Sequence, residues 1–150
     1  MGTPDSLFDS STRQRGDARA PQSEAGAGAP HVLLAEDDRA LRRYLEVIIA
    51  RAGYRVTAAA DGLEALKLAL SAGVDIVVTD AIMPRLGGRE LCRLLRARPE
   101  LASLPVVLLT GLGAETHAAE EVEPADARLT KPVDAEALLN CLARLLGRPA

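Results

Sequence analysis

Five residues in this chain carry groups that could together handle a phosphoryl group. They are the acidic pair Glu36-Asp37, the carboxylate of Asp80, the hydroxyl of Thr110 and the ammonium of Lys131. Each stands at the end of a short apolar run. A carboxylate at the mouth of such a run, as Asp80 is after Ile76-Val77-Val78-Thr79, is costly to bury unless water, a cation or a donor meets it. Three carboxylates brought together would repel and raise one another's pKa. A hard divalent cation removes that problem, and Mg²⁺ (or Mn²⁺) favours a few carboxylate oxygens completed by waters and phosphate oxygens. With Lys131 as a point charge and Thr110 as a donor, Asp80 is placed to attack phosphorus and become an aspartyl phosphate.

This chemistry needs a fold that gathers the five residues at one edge. Residues 32–35, 54–58, 74–78, 106–109 and a short run around 127–129 have the length and apolar texture of strands. Helical patterns lie between them. The first covers 38–52, with Leu41, Leu45, Ile48, Ile49 and Ala52 on one face, Asp38 as N-cap and Gly53 as stop. Asp61 caps a second, with Glu64 placed for a near capping box and Gly73 at its end. After Pro84, Gly87 and Gly88 comes a helix bearing Leu91, Leu94 and Leu95, and a last one runs from Asp134 to about Leu146. Alternation of this kind, with strands apolar throughout, predicts a parallel sheet covered by helices on both faces. In such sheets ligands bind beyond the carboxyl ends of the strands. Four of the five strands deliver a charged or hydroxyl group there; the second ends in alanines, which predicts a peripheral position.

Composition agrees with a single enzyme-sized or signalling-sized domain. The chain has 150 residues, 48% of them apolar but only 2% aromatic, so its core must come from Leu, Val, Ile and Ala. A net charge of −3 gives no electrostatic footprint for nucleic acid or for an anionic membrane, and neither is expected as a partner. No apolar run approaches the about 20 residues of a membrane span, and a cytoplasmic protein is expected. Cys92 and Cys141 are too few for a disulfide framework or zinc site and read as buried small hydrophobes. Residues 1–30, rich in Gly, Ala, Ser and Pro, read as a disordered tail or linker, and 149–150 as a second tail. His31 and His117 lie off the constellation and are expected at the surface. Asp38 is left out of the site as a helix cap.

The stretches LLAEDD, VVTDAIMPRLGG, VVLLTG and LTKPV, in this order, make residues 31–148 resemble a receiver domain of the bacterial two-component response regulators. The likeness is greatest to the stand-alone chemotaxis type. It implies an α/β, (βα)₅ flavodoxin-like three-layer sandwich around a parallel five-stranded sheet of order 2-1-3-4-5. It implies Asp80 as phosphoacceptor, Glu36 and Asp37 as the acidic pair at Mg²⁺ or Mn²⁺, and the Ile82 backbone carbonyl as a further ligand. Thr110 becomes the switch hydroxyl, Lys131 the phosphoryl-contacting lysine, and Lys131-Pro132 a cis bond. The implied partners are a sensor histidine kinase or phosphotransfer protein and an unknown downstream protein.

Rival readings remain beside this one. An aspartate-nucleophile phosphatase needs a second acid two residues after the nucleophile, and Ile82 stands there, so the chain is not expected to be an enzyme. A degenerate scaffold receiver, or a receiver segment of a hybrid histidine kinase, would share most of the features; Met1 followed by a full tail favours a free protein. No DNA-binding segment follows residue 148, so output is expected through the receiver surface. Two departures stand out. Arg128 occupies the place of an aromatic common in receivers, which puts the usual threonine–aromatic switch in doubt. The stretch after Thr110 is acidic and nearly without large apolar residues, so a helix there should be short, shifted or mobile. In receivers the residues two after the phosphoacceptor and two after the threonine flank the approach of water. Here they are Ile82 and Leu112, both apolar, so the resemblance implies slow autodephosphorylation.

Overall fold

The structure is a computed structural model describing residues 28–111 and 125–147. Residues 1–27 of the expected first tail, the second tail, the weak helix expected after Thr110, His117 and Leu112 fall outside these ranges. The elements run β1 (His31–Ala35), α1 (Arg39–Arg51), β2 (Arg55–Ala59), α2 (Gly62–Ser71), β3 (Ile76–Asp80), α3 (Gly88–Arg96), a 3₁₀ turn (Pro99–Leu101), β4 (Val106–Thr110), β5 (Ala127–Thr130) and α4 (Ala135–Leu145). All strand pairs are parallel, in the expected order β2-β1-β3-β4-β5.

Helices α1, α2 and α4 begin where side chains satisfy free backbone donors, whereas α3 starts at Gly87 without a side-chain cap. Asp38 accepts from the Ala40 N–H at 3.1 Å and Asp134 from the Ala137 N–H at 2.9 Å. Asp61 accepts from the Glu64 N–H, and Glu64 reaches back to the Ala60 N–H, both at 2.9 Å. The return bond thus lands one residue before the cap, a variant of the capping box. At the other end of α1, Gly53 takes φ 101°, a left-handed turn that a side chain would strain.

Alternate strand residues feed the two faces of the sheet. Val32, Leu34, Ile76, Val78, Val107 and Leu109 pack under α1 and α4 against Leu45, Ile49, Leu138, Cys141 and Leu142. Leu33, Ala35, Val77 and Val106 pack under α2 and α3 against Ala65, Ala69, Leu91, Cys92 and Leu95. Every residue of β1, β3 and β4 is buried, whereas the edge strands β2 and β5 are mostly half-exposed. Both cysteines are buried and free, as expected. Leu94 instead projects from α3 and is exposed, because Leu91, Cys92 and Leu95 already define that helix's buried stripe.

Two aspartates lock the amino ends of neighbouring strands. Asp75 gives its N–H to the His31 carbonyl at 2.7 Å and takes the His31 N–H on Oδ2 at 2.8 Å. Asp126 does the same to Val106, at 2.8 Å in both directions, and its Oδ2 also meets Arg96 Nη2 at 2.7 Å. His31 is therefore buried, contrary to the surface position expected for it, and its Nε2 lies 2.7 Å from Thr57 Oγ1 on β2. The β1 strand starts one residue earlier than its apolar run, and that extra residue is the histidine.

Gly88 shows how closely α3 sits on the strand that carries Asp80. A Cβ at this position would collide with the Asp80 carbonyl oxygen and crowd Leu108. Replacing Gly88 by Ala should therefore destabilise the protein by about 1–3 kcal/mol through overpacking. Urea unfolding of the variant checks this, and an unchanged midpoint would show that helix and strand are not in close contact.

Candidate functional site

Strand register alone brings the expected residues level. Ala35 pairs with Thr79, so Glu36 and Asp80 stand at the ends of adjacent strands. Asp80 pairs with Leu109, and Thr110 with Thr130. Lys131 follows directly, its N–H donating to the Thr110 carbonyl at 2.7 Å. β5 lies two strands from β3, about 10 Å away at ~4.8 Å per strand, a gap that a lysine side chain crosses. Its Nζ donates to Asp80 Oδ2 at 2.9 Å and lies 3.4 Å from Glu36 Oε1. The Lys131-Pro132 bond is cis, as expected.

Glu36 is wholly buried, and all but one of its polar atoms are hydrogen-bonded. Its N–H donates to the Ala59 carbonyl at 3.1 Å, and its Oε2 accepts from the Asp38 N–H at 3.1 Å. Its own carbonyl accepts from Arg42 Nη1 at 2.9 Å. Oε1 is different: the ion pair with Lys131 leaves this buried oxygen without a hydrogen bond. Asp37 beside it is exposed, and Asp80 is buried with Oδ1 accepting from the Ile82 N–H at 3.4 Å. One carboxylate oxygen from each of Glu36, Asp37 and Asp80 can be chosen so that all lie within 4.8 Å of one another. A buried oxygen with an ion pair but no hydrogen bond, set among hard anionic donors, fits a small divalent cation.

A model of the response regulator receiver domain matches residues 32–143. The chain belongs to that family. Receiver domains are the phosphoacceptor signalling modules of two-component systems, not enzymes in the ordinary sense. The chain is 33% identical, over 120 residues, to the "DNA-binding dual master transcriptional regulator RpaA" of Synechocystis sp., covering 79% of this chain and 50% of that protein. Among solved structures, the chemotaxis response regulator CheY4 of Vibrio cholerae aligns with a TM-score of 0.72 and 32% identity, over 79% of this chain and 99% of that one. The receiver domain of the sensor histidine kinase PA1611 from Pseudomonas aeruginosa, solved with a magnesium ion in its active-site cleft, aligns at 0.73 and 28% identity over 80% and 99%.

This receiver spans about half the length of the curated relatives it matches. The expectation of no nucleic-acid partner therefore does not stand. RpaA is DNA-binding by name, and AfsQ1 of Streptomyces coelicolor, 37% identical, is a transcriptional regulatory protein. A charge of −3 describes the residues at hand, and the net charge of one module is silent about a longer protein containing it. Nor does the absence of a DNA-binding segment after residue 148 bear on the matter. Among the described residues no helix is long and apolar enough to cross a membrane.

The receiver site gathers four of the five expected side chains in one cluster: Glu36, Asp37, Asp80 and Lys131. Thr110 stands buried at the adjacent strand end, its hydroxyl directed to the Leu129 carbonyl at 3.5 Å. Ile82 is 73% exposed beside Asp80. Arg128 occupies an exposed position of β5. Sequence reasoning missed Arg42, whose signal was its place one helical turn after Asp38. It also gave Asp38 only a capping role, whereas its N–H is one of the bonds that fix the Glu36 carboxylate.

Burial, above all, and then the charge of Asp80 push the Glu36 carboxyl up from 4.5 to about 7, against the Asp38 N–H and Lys131. Burial works against the Lys131 charge, but the hydrogen bond and charge of Asp80, then Glu36, outweigh it and raise its pKa. A carboxyl raised in the folded state stabilises fully below its unfolded pKa, and that contribution is lost as pH rises through about 7. His31, lowered chiefly by burial and then by Arg55, acts in the opposite direction and is present in any control. Melting of metal-free wild type should therefore fall between pH 5 and pH 8 relative to Glu36→Gln, as Glu36 titrates between 4.5 and about 7. Saturating Mg²⁺ should remove the difference in slope. Parallel curves for the two proteins without metal would contradict the assignment.

Proposed function

We propose that this receiver takes a phosphoryl group from a sensor histidine kinase or phosphotransfer protein onto Asp80, and passes the signal on by protein–protein contact. The observation that carries the reading is Lys131 Nζ at 2.9 Å from Asp80 Oδ2, beside two further carboxylates and at the open end of the sheet. An inert scaffold gains nothing from burying two carboxylates beside one ammonium at this cost in desolvation. The two free, buried cysteines suit a reducing compartment such as the cytoplasm.

In the transfer, an Asp80 oxygen attacks the phosphorus of a phosphohistidine. The new O–P bond forms as the N–P bond breaks, and the imidazole leaves with that electron pair and takes a proton from water. Glu36, Asp37, Asp80 and the Ile82 carbonyl are the groups that would hold Mg²⁺ or Mn²⁺, which when bound screens the carboxylates from the incoming phosphoryl oxygens. Lys131 turns its ammonium from the Asp80 carboxylate to the phosphoryl oxygens. The Thr110 hydroxyl exchanges its long bond to the Leu129 carbonyl for a shorter one to the same group.

Acetyl phosphate with Mg²⁺ should add a single phosphate to the purified protein, read by intact mass, and Asp80→Asn should abolish it. Equal labelling of Asp80→Asn would sink the phosphoacceptor assignment. The lifetime of the product provides a second check. Ile82 is apolar and exposed beside Asp80, so it offers attacking water no partner that could orient it. Ile82→Asn should lose phosphate severalfold faster than wild type once the donor is removed. An unchanged rate would mean that this side chain does not govern the approach of water.

A further inference from the structure

Helix α1 is capped by Asp38 but has a basic first turn. Its first turn contains Arg39 and Arg42 and no acidic residue, although the amino end of a helix carries partial positive charge and favours anions. Arg42 does not extend into solvent. It folds back and gives Nη1 to the carbonyl of Glu36, six residues earlier, at 2.9 Å. That carbonyl lies one residue beyond the end of β1. The Glu36 N–H is meanwhile fixed on Ala59 of β2 at 3.1 Å. With both backbone groups of Glu36 held, the planar peptide that links it to Asp37 has a set orientation. Asp37 is exposed, so burial does not fix where its carboxylate points.

We propose that Arg42 is a positioning residue of the cation site, acting through the Glu36-Asp37 peptide group. The inference rests on the reading of Glu36, Asp37 and Asp80 as the ligands. Arg42 does not touch the cation. It presets two of the three carboxylates, so that binding does not have to order the β1–α1 turn. Its charge opposes this role, because a guanidinium near a cation site repels the cation. The two effects have opposite signs, which makes the role testable. If Arg42 were only a nearby charge, its removal would tighten metal binding; if it positions the ligands, removal weakens binding.

The test measures Mn²⁺ binding by electron paramagnetic resonance of the free ion, on wild type, Arg42→Ala, Arg42→Lys and Arg43→Ala. Arg42→Ala should weaken Mn²⁺ roughly tenfold, the usual scale for groups that orient metal ligands. Arg42→Lys keeps a donor and the charge and should recover most of the loss. Arg43→Ala, which removes an arginine paired with Glu46 on the outer face of α1, should bind as wild type does. Labelling by acetyl phosphate should be slowed in Arg42→Ala at low Mg²⁺ and restored at saturating Mg²⁺. Wild type that binds while Arg42→Ala binds equally or more tightly overturns the role of Arg42 alone. Wild type that binds no Mn²⁺ overturns the ligand reading beneath it. Slow labelling of Arg42→Ala that persists at saturating Mg²⁺ also counts against positioning of the metal ligands.

Discussion

One ammonium faces two buried carboxylates at the carboxyl edge of the sheet. Lys131 Nζ lies 2.9 Å from Asp80 and 3.4 Å from Glu36. Each of these charges would be costly to bury alone, and one lysine cannot balance them together with Asp37. The site thus keeps excess negative charge at a partly buried strand edge, with Glu36 and Asp80 buried and Asp37 exposed. A divalent cation relieves it, and so does protonation of Glu36. On the proposed function, phosphorylation of Asp80 would change the same balance, because the carboxylate charge would move outward onto phosphoryl oxygens. Lys131 would then be drawn away from the strand edge towards the new group. An electrostatic imbalance of this kind is a physical reason for the site to respond to chemistry at a single atom.

The rest of the fold keeps that imbalance in place. The paired backbones of β1, β3, β4 and β5 set the heights of Glu36, Asp80, Thr110 and Lys131, and the aspartates at the opposite end prevent those strands from sliding. Slippage by one residue would turn every side chain to the other face. Close approach matters as much as register. Gly88 lets α3 press on the Asp80 backbone, and Gly62 lets the Leu86 carbonyl settle on the start of α2. The loop between β3 and α3 carries Ile82 and also Arg85, which adopts φ 73° and pairs with Asp61 at 3.7 Å. The loop beside Asp80 is therefore seated on a helix end and does not hang free.

Much of this was legible in the residues. The strands were visible as apolar runs because β1, β3 and β4 are buried on both faces, and the caps Asp38 and Asp61 announced two of the helices. The site was visible because its polar groups follow those runs directly. What escaped notice depends on contacts across the fold. His31 reads as a polar residue ahead of a strand, yet Asp75 and Thr57, 44 and 26 residues away, enclose it. Arg42 reads as one of several surface arginines of α1, and only the turn of the chain at Glu36 gives its guanidinium a partner. Leu94 differs from its neighbours by its angle around α3, which composition does not reveal. The nucleic-acid expectation failed for another reason: the charge of one module was taken to describe a whole protein.

The central claim is that the charge cluster exists to receive a phosphoryl group at Asp80. A crystal structure grown with Mg²⁺ and beryllofluoride, a mimic of the phosphoryl group, tests it most directly. The account predicts beryllium bonded to an Asp80 oxygen, a metal on Glu36, Asp37 and Asp80, and Lys131 Nζ moved from the carboxylate to a fluorine. Beryllofluoride absent from Asp80 at saturating concentration, or an adduct there with Lys131 still on the carboxylate and no metal between the acids, would contradict it.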